Sequence, residues 1–310
     1  MQRDLKFSLT IETNALLCPN PQEFYSRSYI DEQIVDNFRT LPGIKAATKL
    51  ANVTFGQVTK ASTCNFTAPT EALDAIDIDV TPTSIMAQIC QFDVEQSFLA
   101  LQMAKGSNGD FTVQSFMNYY WQELANKARE ERALRRWQGD TASGDPNLAL
   151  VDGHLKKLKA DATVIDVDNG GVASTTANVI AAMTSVYQAM PAEVRAKVSD
   201  LRWFVSSDIA GNYKIATASQ NTVNNVTAQL GLTFLGIKVI EDAALPSNTM
   251  VFTLKDNLIY AFDGKKDGEE LKAVNLSDTV AEPYIRTRAN QKEGYFHTNG
   301  GEIVFYWNAP

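Results

Sequence analysis

Apolar residues recur at intervals of three and four along Val113, Met117, Tyr120, Trp121, Leu124 and Ala128, a period that predicts a long helix over 111–137. At about 1.5 Å per residue, some 27 residues make a rod of about 40 Å, longer than the usual helix of a compact domain. The apolar stripe is concentrated in the first half of this helix. Glu123–Lys127, Lys127–Glu131 and Glu131–Arg135 are spaced for i,i+4 ion pairs, and Arg132, Arg135 and Arg136 place positive charge at the C-terminal end, where the helix dipole favours it. This pattern predicts a rod packed at one end and solvated or partner-facing at the other.

The flanking segments carry other periods. Residues 1–40 read as a weakly structured arm leading into a short helix that carries Phe24, Tyr25, Ile30, Ile34, Val35 and Phe38, stopped by Leu41-Pro42-Gly43. Within 44–80, a Thr-, Val- and Asn-rich run from Ala51 to Phe66 is followed by EALDAIDIDVTP, where Ile76, Ile78 and Val80 alternate. These are the two arms of a hairpin, about 12 residues each and about 40 Å long. Its sparse apolar content suits a projection lying on a neighbour better than one standing in water. Ser84 to Phe92 alternates as a strand, Asp93 caps a helix ending at Gly106, and Asp110 caps the long rod.

Beyond the rod comes a turn rich in Gly and Asp, Trp137 to Asp145, then the short segment Gly153 to Leu158. Further on, Ser174 or Thr175 can cap a helix that ends before Pro191. A strand at 201–205 leads into a helix capped by Ser206-Ser207-Asp208. A polar loop over 219–230 precedes strands near 232–240, 249–254, 257–262, 282–289 and 295–307. Helices and strands alternate without repeats, and the class is α+β.

Composition narrows the function. The 310 residues carry a formal charge of −8, which argues against a dedicated nucleic-acid binder but not against a protein that surrounds nucleic acid. Cys18, Cys64 and Cys90 are odd in number and lack a C-x-x-C spacing, the pattern of a reducing compartment without a disulfide framework. Acidic residues interrupt the N-terminal segment, so no export signal is expected, and no apolar run is long enough to span a membrane.

The sequence contains no phosphate-cradling loop, no nucleophile elbow and no H-E-x-x-H. His154 and His297 could each serve as a base or metal ligand; the plainer role, in a turn or a terminal strand, is the one expected. Asp74, Asp77 and Asp79 lack the turning Gly of a calcium loop and read as a solvated hairpin rim. Asp140 and Asp145 read as turn residues bonded to backbone N–H groups, and Lys156, Lys157 and Lys159 as a solvated helix face. No catalytic, cofactor-binding or metal-binding residues are expected, and the chain is not expected to be an enzyme.

The block QFDVEQSFLALQMAKG, the long helix, the run W-x-G-D-x-x-S-G-D and the segment G-x-L-x-x-L together resemble the major capsid proteins of tailed bacteriophages with the HK97-type fold, above all those of phages infecting Bacteroidetes. Leu201 to Asp208 and the passage Leu235-Gly236-Ile237-Lys238-Val239-Ile240 to Leu245-Pro246 carry the likeness further. The resemblance implies an N-terminal arm over 1–43, an extended E-loop over 44–80 and a peripheral domain over 81–160 with spine helix 111–137. It also implies an axial domain over 161–270, and terminal strands over 271–310 that return to the peripheral domain. It further implies self-assembly into hexamers and pentamers enclosing double-stranded DNA with weak non-specific contact. Portal, scaffold and decoration proteins would be partners, the membrane would not, and assembly in the bacterial host cytoplasm would yield a virion shell.

Some relatives begin with a scaffolding-like segment; here Met1 leads almost directly into the arm, so a separate scaffold or the arm itself is expected to guide assembly. Lys49 and Lys60 lie in the E-loop region, yet no surrounding motif supports the crosslinking chemistry of some relatives. Arg132, Arg135 and Arg136 are the expected local contacts to DNA. Two other readings compete: an encapsulin-type compartment of the same fold, and a soluble α+β enzyme with an acid pair the sequence does not reveal.

Overall fold

The computed structural model describes residues 37–59, 71–90, 113–220, 232–263, 272–276 and 281–308. The expected helices before 37 and over 93–106, the polar loop at 219–230 from residue 221 onward, and Cys18, Cys64 and Lys60 lie outside them. The strands in chain order are β1 (Arg39–Pro42), β2 (Thr48–Phe55), β3 (Glu71–Ile78), β4 (Thr81–Cys90), β5 (Ile165–Asp168), β6 (Leu201–Val205), β7 (Thr233–Phe234), β8 (Ile237–Glu241), β9 (Met250–Leu254), β10 (Leu258–Phe262), β11 (Lys272–Asn275), β12 (Tyr284–His297) and β13 (Ile303–Trp307). The helices are α1 (Val113–Gln138), α2 (His154–Ala160), α3 (Val179–Ala189), α4 (Ala192–Arg195) and α5 (Ser207–Gln220). The chain forms two compact units: 33–81, 132–263 and 292–310 make the larger, while 1–32, 82–131 and 264–291 make the smaller.

The larger unit is organised by a six-stranded sheet in the order β5-β13-β9-β6-β8-β7. Its central strands are apolar at nearly every position because both faces are covered. Trp203, Val205, Val239, Phe252, Val304 and Tyr306 point into a core with Val179, Met183 and Val186 of α3 and Ile209, Ala210 and Tyr213 of α5. Their neighbours in the strands, Phe204, Ile240, Val251, Ile303 and Phe305, face the other way, onto Phe38, Trp137 of α1 and Leu155 and Leu158 of α2. The strict alternation sorts one set of strands into two cores.

Several local expectations change. Leu41-Pro42 does not terminate a helix: it lies in β1, parallel to β10, and the chain turns at Gly43, whose φ is 82°. Proline is tolerated there because β1 is bonded on one side only. Helix α3 begins at Val179, later than a cap at Ser174 or Thr175 would place it, because residues 175–178 form a separate turn in which Asn178 Oδ1 accepts from the Thr175 amide at 2.7 Å. The last strand, β13, pairs with β5 and β9.

In the smaller unit, the first part of β12 pairs with β11 and with β4. Ile285, Thr287, Ala289 and Gln291 are buried, and Arg286, Arg288 and Asn290 between them are exposed. On the exposed side Arg286 Nε donates to Gln88 Oε1 at 2.7 Å, and Ser84 Oγ donates to Asn290 Oδ1 at 2.9 Å. In the part of α1 that belongs to this unit, Ala125 and Ala128 are buried and Lys127 pairs with Glu130 at 2.9 Å.

Candidate assembly surfaces

The hairpin is the first surface that sequence patterning isolates. β2 and β3 pair antiparallel from Thr48↔Ile78 to Phe55↔Glu71, eight residues per arm rather than twelve. At about 3.4 Å per residue the paired arms extend about 27 Å. The root is anchored: Ile78 and Val80 are buried with Ile259, Ala261 and Phe296, and Leu50 and Ile76 pack against that cluster. Higher up, Lys49, Ala51, Ala75 and Asp77 are exposed. Lys49 meets Asp77 across the strands at 3.4 Å, with both side chains about three-quarters exposed.

The segment from W-x-G-D to G-x-L forms a joint between the long helix and α2. Gly139 and Gly153 face each other so closely that a Cβ on Gly139 would sit 2.2 Å from the Val151 carbonyl oxygen, and one on Gly153 would sit 2.5 Å from that of Arg135. Between them, Asp140 Oδ1 accepts from the Ala142 amide and Asp145 Oδ1 from those of Asn147 and Leu148. Lys156 bridges Asp140 at 2.8 Å and Asp152 at 2.7 Å, and the lysine holds the Asp140 carboxyl below its usual range. Among the described residues no cluster of His, Cys, Asp and Glu could hold a metal ion.

Arg132, Arg135 and Arg136 require a correction. All three are buried, so they do not present a basic surface to DNA. Arg135 Nε meets Glu293 at 2.7 Å, and Glu293 also accepts from the Tyr295 hydroxyl at 3.1 Å. Arg136 reaches Asp242 at 3.4 Å and lies over the Phe38 ring, while Trp137 Nε1 donates to the same Asp242 carboxylate. The end of the rod expected to be solvated or partner-facing is therefore the most enclosed part among its described side chains, 124–138. Acids 158 and 106 residues away neutralise it, out of reach of a local charge census.

His154 is fully buried between the rings of Phe38, Trp137 and Tyr295. Burial holds its imidazole well below the ordinary value, in the neutral form. His297 has its own partner, with Nε2 2.7 Å from Asp161. The lysine face is likewise less solvated than expected. Lys157 Nζ lies 3.4 Å from the centroid of Phe296, and burial pulls its ammonium down to about 8. Lys159 lies over Trp307 and borders an open cavity of about 340 Å³ with Leu155, Asn169, Asn248 and Phe305. Among the described residues no helix is long and apolar enough to cross a membrane.

No protein-family model matches the sequence, and no curated protein matches it by sequence. Solved structures do match, over nearly the whole chain. The procapsid of satellite phage P4, which includes the size determination (Sid) protein, aligns at 11% identity and a TM-score of 0.54, over 93% of this chain and 99% of that one. The capsid of the native GTA particle aligns at 15% identity and a TM-score of 0.57, over 89% and 90%. The capsid of Myoviridae phage XM1 gives 10% identity and 0.57, over 88% and 90%. The fold is thus α+β of the HK97-like capsid type.

Proposed function

We propose that this chain is the major capsid protein of a tailed bacteriophage. Copies assemble into hexamers and pentamers and close an icosahedral shell around double-stranded DNA. The observation that carries this reading is the whole-length match to shell-forming chains, which leaves little of the fold for any other task. The hairpin anchored at its root agrees with it, because such a ribbon can acquire a further packing partner on a neighbour.

In this reading residues 1–43 act as an arm and 44–80 as the E-loop. Residues 81–160 form the peripheral domain, completed by 271–310, and 161–270 an axial domain that meets its copies around each capsomer axis. Portal and scaffold proteins, and in some shells a decoration protein, complete the particle, which assembles in the cytoplasm of the bacterial host. The contact energy is spread over many moderate interfaces per subunit. The role is structural, without catalysis.

Negative-stain electron microscopy of the purified chain, alone and co-expressed with its neighbouring genes, tests the proposal. Closed shells, sheets or rings of hexamers are expected, with nuclease-protected DNA in particles made during infection. Small discrete oligomers under both conditions would overturn it, and shells enclosing a protein cargo in place of DNA would reassign the chain to a storage compartment.

A further inference from the structure

A recess in the larger unit combines an apolar floor with one uncompensated cation. It lies where α2, the loop after β5, the loop before β9 and the end of β13 meet, and its volume is about 340 Å³. Leu155, Phe305 and the indole of Trp307 supply its apolar surface, with Pro246 and Val172 beside them. Lys159 is the only charged residue in the lining, which contains no Asp or Glu. The whole chain has 36 acids against 28 lysines and arginines, so a wall with one cation and no acid runs against its general charge.

Lysines elsewhere on the same helix are placed differently. Lys156 closes ion pairs with Asp140 and Asp152. Among the described residues Lys159 closes none: its ammonium lies 4.1 Å from the centroid of the Trp307 ring, and only longer-range attraction from Asp140 acts on it. The indole it touches is fixed. Trp307 Nε1 donates to Asp166 Oδ1 at 3.3 Å, Phe305 stacks on the ring at 5.4 Å, and the Asn169 amide donates to the Trp307 carbonyl. The rim is fixed too. Asp168 and Asn169 accept from the amides of Gly170 and Gly171 at 2.9 and 2.8 Å, and the next residue, Val172, is 57% exposed. Asn248 uses its side-chain oxygen to accept from the Ser174 amide, and its NH2 group has no partner among the described residues. The apolar surface and the donors are thus in place before any ligand arrives, which lowers the cost of binding one.

We propose that this recess binds a small monocarboxylate with an aromatic or branched aliphatic body. The body lies against Trp307, Phe305 and Leu155 with Val172 at the rim, and the carboxylate accepts from Lys159 Nζ, with the Asn248 NH2 group as a second donor. A neutral head of the same shape forfeits the charge-assisted hydrogen bond. The volume stands at the lower end of ligand cavities, which limits the body to about one ring and a short chain. The site lies within one subunit and draws on no neighbour, so it goes beyond the capsid reading and does not rest on it.

The probe is 4-phenylbutyrate, with 4-phenylbutyramide as its neutral counterpart, titrated onto the full chain and followed by saturation-transfer NMR. For a ligand of about twelve heavy atoms the expected Kd is about 1 mM or tighter. The carboxylate should bind about fivefold or more tighter than the amide, the factor that one charge-assisted hydrogen bond implies. Lys159→Gln should remove that difference and Lys159→Arg should keep most of it. Lys238→Gln, which changes an exposed lysine outside the recess, should leave it intact. A diazirine-bearing analogue of the probe should label peptides that contain residues 169–172 or 305–308. Absence of binding at about 10 mM, equal affinity for carboxylate and amide, or labelling confined to other peptides would overturn the site. An equal loss in Lys159→Gln and Lys238→Gln would overturn it too, by reducing the effect to general charge attraction. Probe binding by a chain that never forms shells would sink the capsid reading and leave the recess standing; shells that bind no probe would do the reverse.

Discussion

Replacing Gly139 by alanine probes the joint between the long helix and α2. The new Cβ would meet three backbone atoms, the carbonyl oxygens of Val151 at 2.2 Å and Arg135 at 2.5 Å and the Gly153 nitrogen at 2.9 Å, none of which can rotate away. Relief requires a backbone shift of about 1 Å, which costs roughly 1–3 kcal/mol in displaced packing. The shift also strains two hydrogen bonds, Gly139 N–H to Arg135 O at 3.0 Å and Gly153 N–H to Gly139 O at 2.9 Å. Each contributes about 0.5–1.5 kcal/mol, for a total of roughly 2–6 kcal/mol. At about 2–4 °C per kcal/mol for a domain of this size, the midpoint should fall by about 4–24 °C. The assay is thermal unfolding of the unassembled chain followed by near-ultraviolet circular dichroism, which reports on the buried Trp137 next to the joint. Gly144→Ala is the control, since a Cβ there has nothing within 4 Å and should change the midpoint by no more than about 1 °C. Equal midpoints for Gly139→Ala and wild type, or equal losses for the two variants, would refute the close-approach argument.

Glu293→Ala leaves the Arg135 guanidinium buried without its acid partner, and urea unfolding should show a loss of about 3–5 kcal/mol; a loss under about 1 kcal/mol would mean that Asn147 alone satisfies the arginine. His154 is neutral in the fold while the unfolded chain takes up a proton near the ordinary histidine value of 6.5. The folded-state value is depressed, so this stability is present above about pH 6.5 and is lost as pH falls below it. The urea midpoint of wild type should therefore drop between pH 7 and pH 5 more than that of His154→Leu, and parallel curves would reject the assignment. Joining Leu50 to Ile76 through Asn-Gly in place of 51–75 keeps the buried root of the hairpin, so the variant should unfold cooperatively as wild type does yet form no shells by electron microscopy. Shells of normal size would remove the hairpin from assembly.

What could be read from the sequence was local in origin. The long helix, the hairpin and the strand at 201–205 each announce themselves by a period within their own residues, and the structure has all three. The hairpin arms, expected at about twelve residues each, form a described ladder of eight pairs, Thr48↔Ile78 to Phe55↔Glu71. The environment of Arg135 and Arg136 was misread because their shielding comes from Glu293, Asp242 and Phe38, joined to them only by folding. Gly139 and Gly153 read as ordinary turn glycines, since a close approach of two backbones leaves no mark on composition. The placing of β13 between β5 and β9 has no local signal either: its apolar run suits any fully covered strand.

The ribbon formed by β2 and β3 is paired only with itself, so each strand presents an open row of backbone donors and acceptors on its outer side. Such edges recruit any strand they meet, and a cell making many copies of the chain holds mostly other copies of the same ribbon. Asp77 and Asp79 stand exposed on and just beyond β3. When β3 of one copy approaches β3 of another, carboxylates are set against carboxylates, and like charges across a strand pair repel. The acids need bind nothing to matter: they disfavour a β3-to-β3 approach, while Lys49 on β2, 3.4 Å from Asp77 within the ribbon, leaves the other edge with the opposite sign.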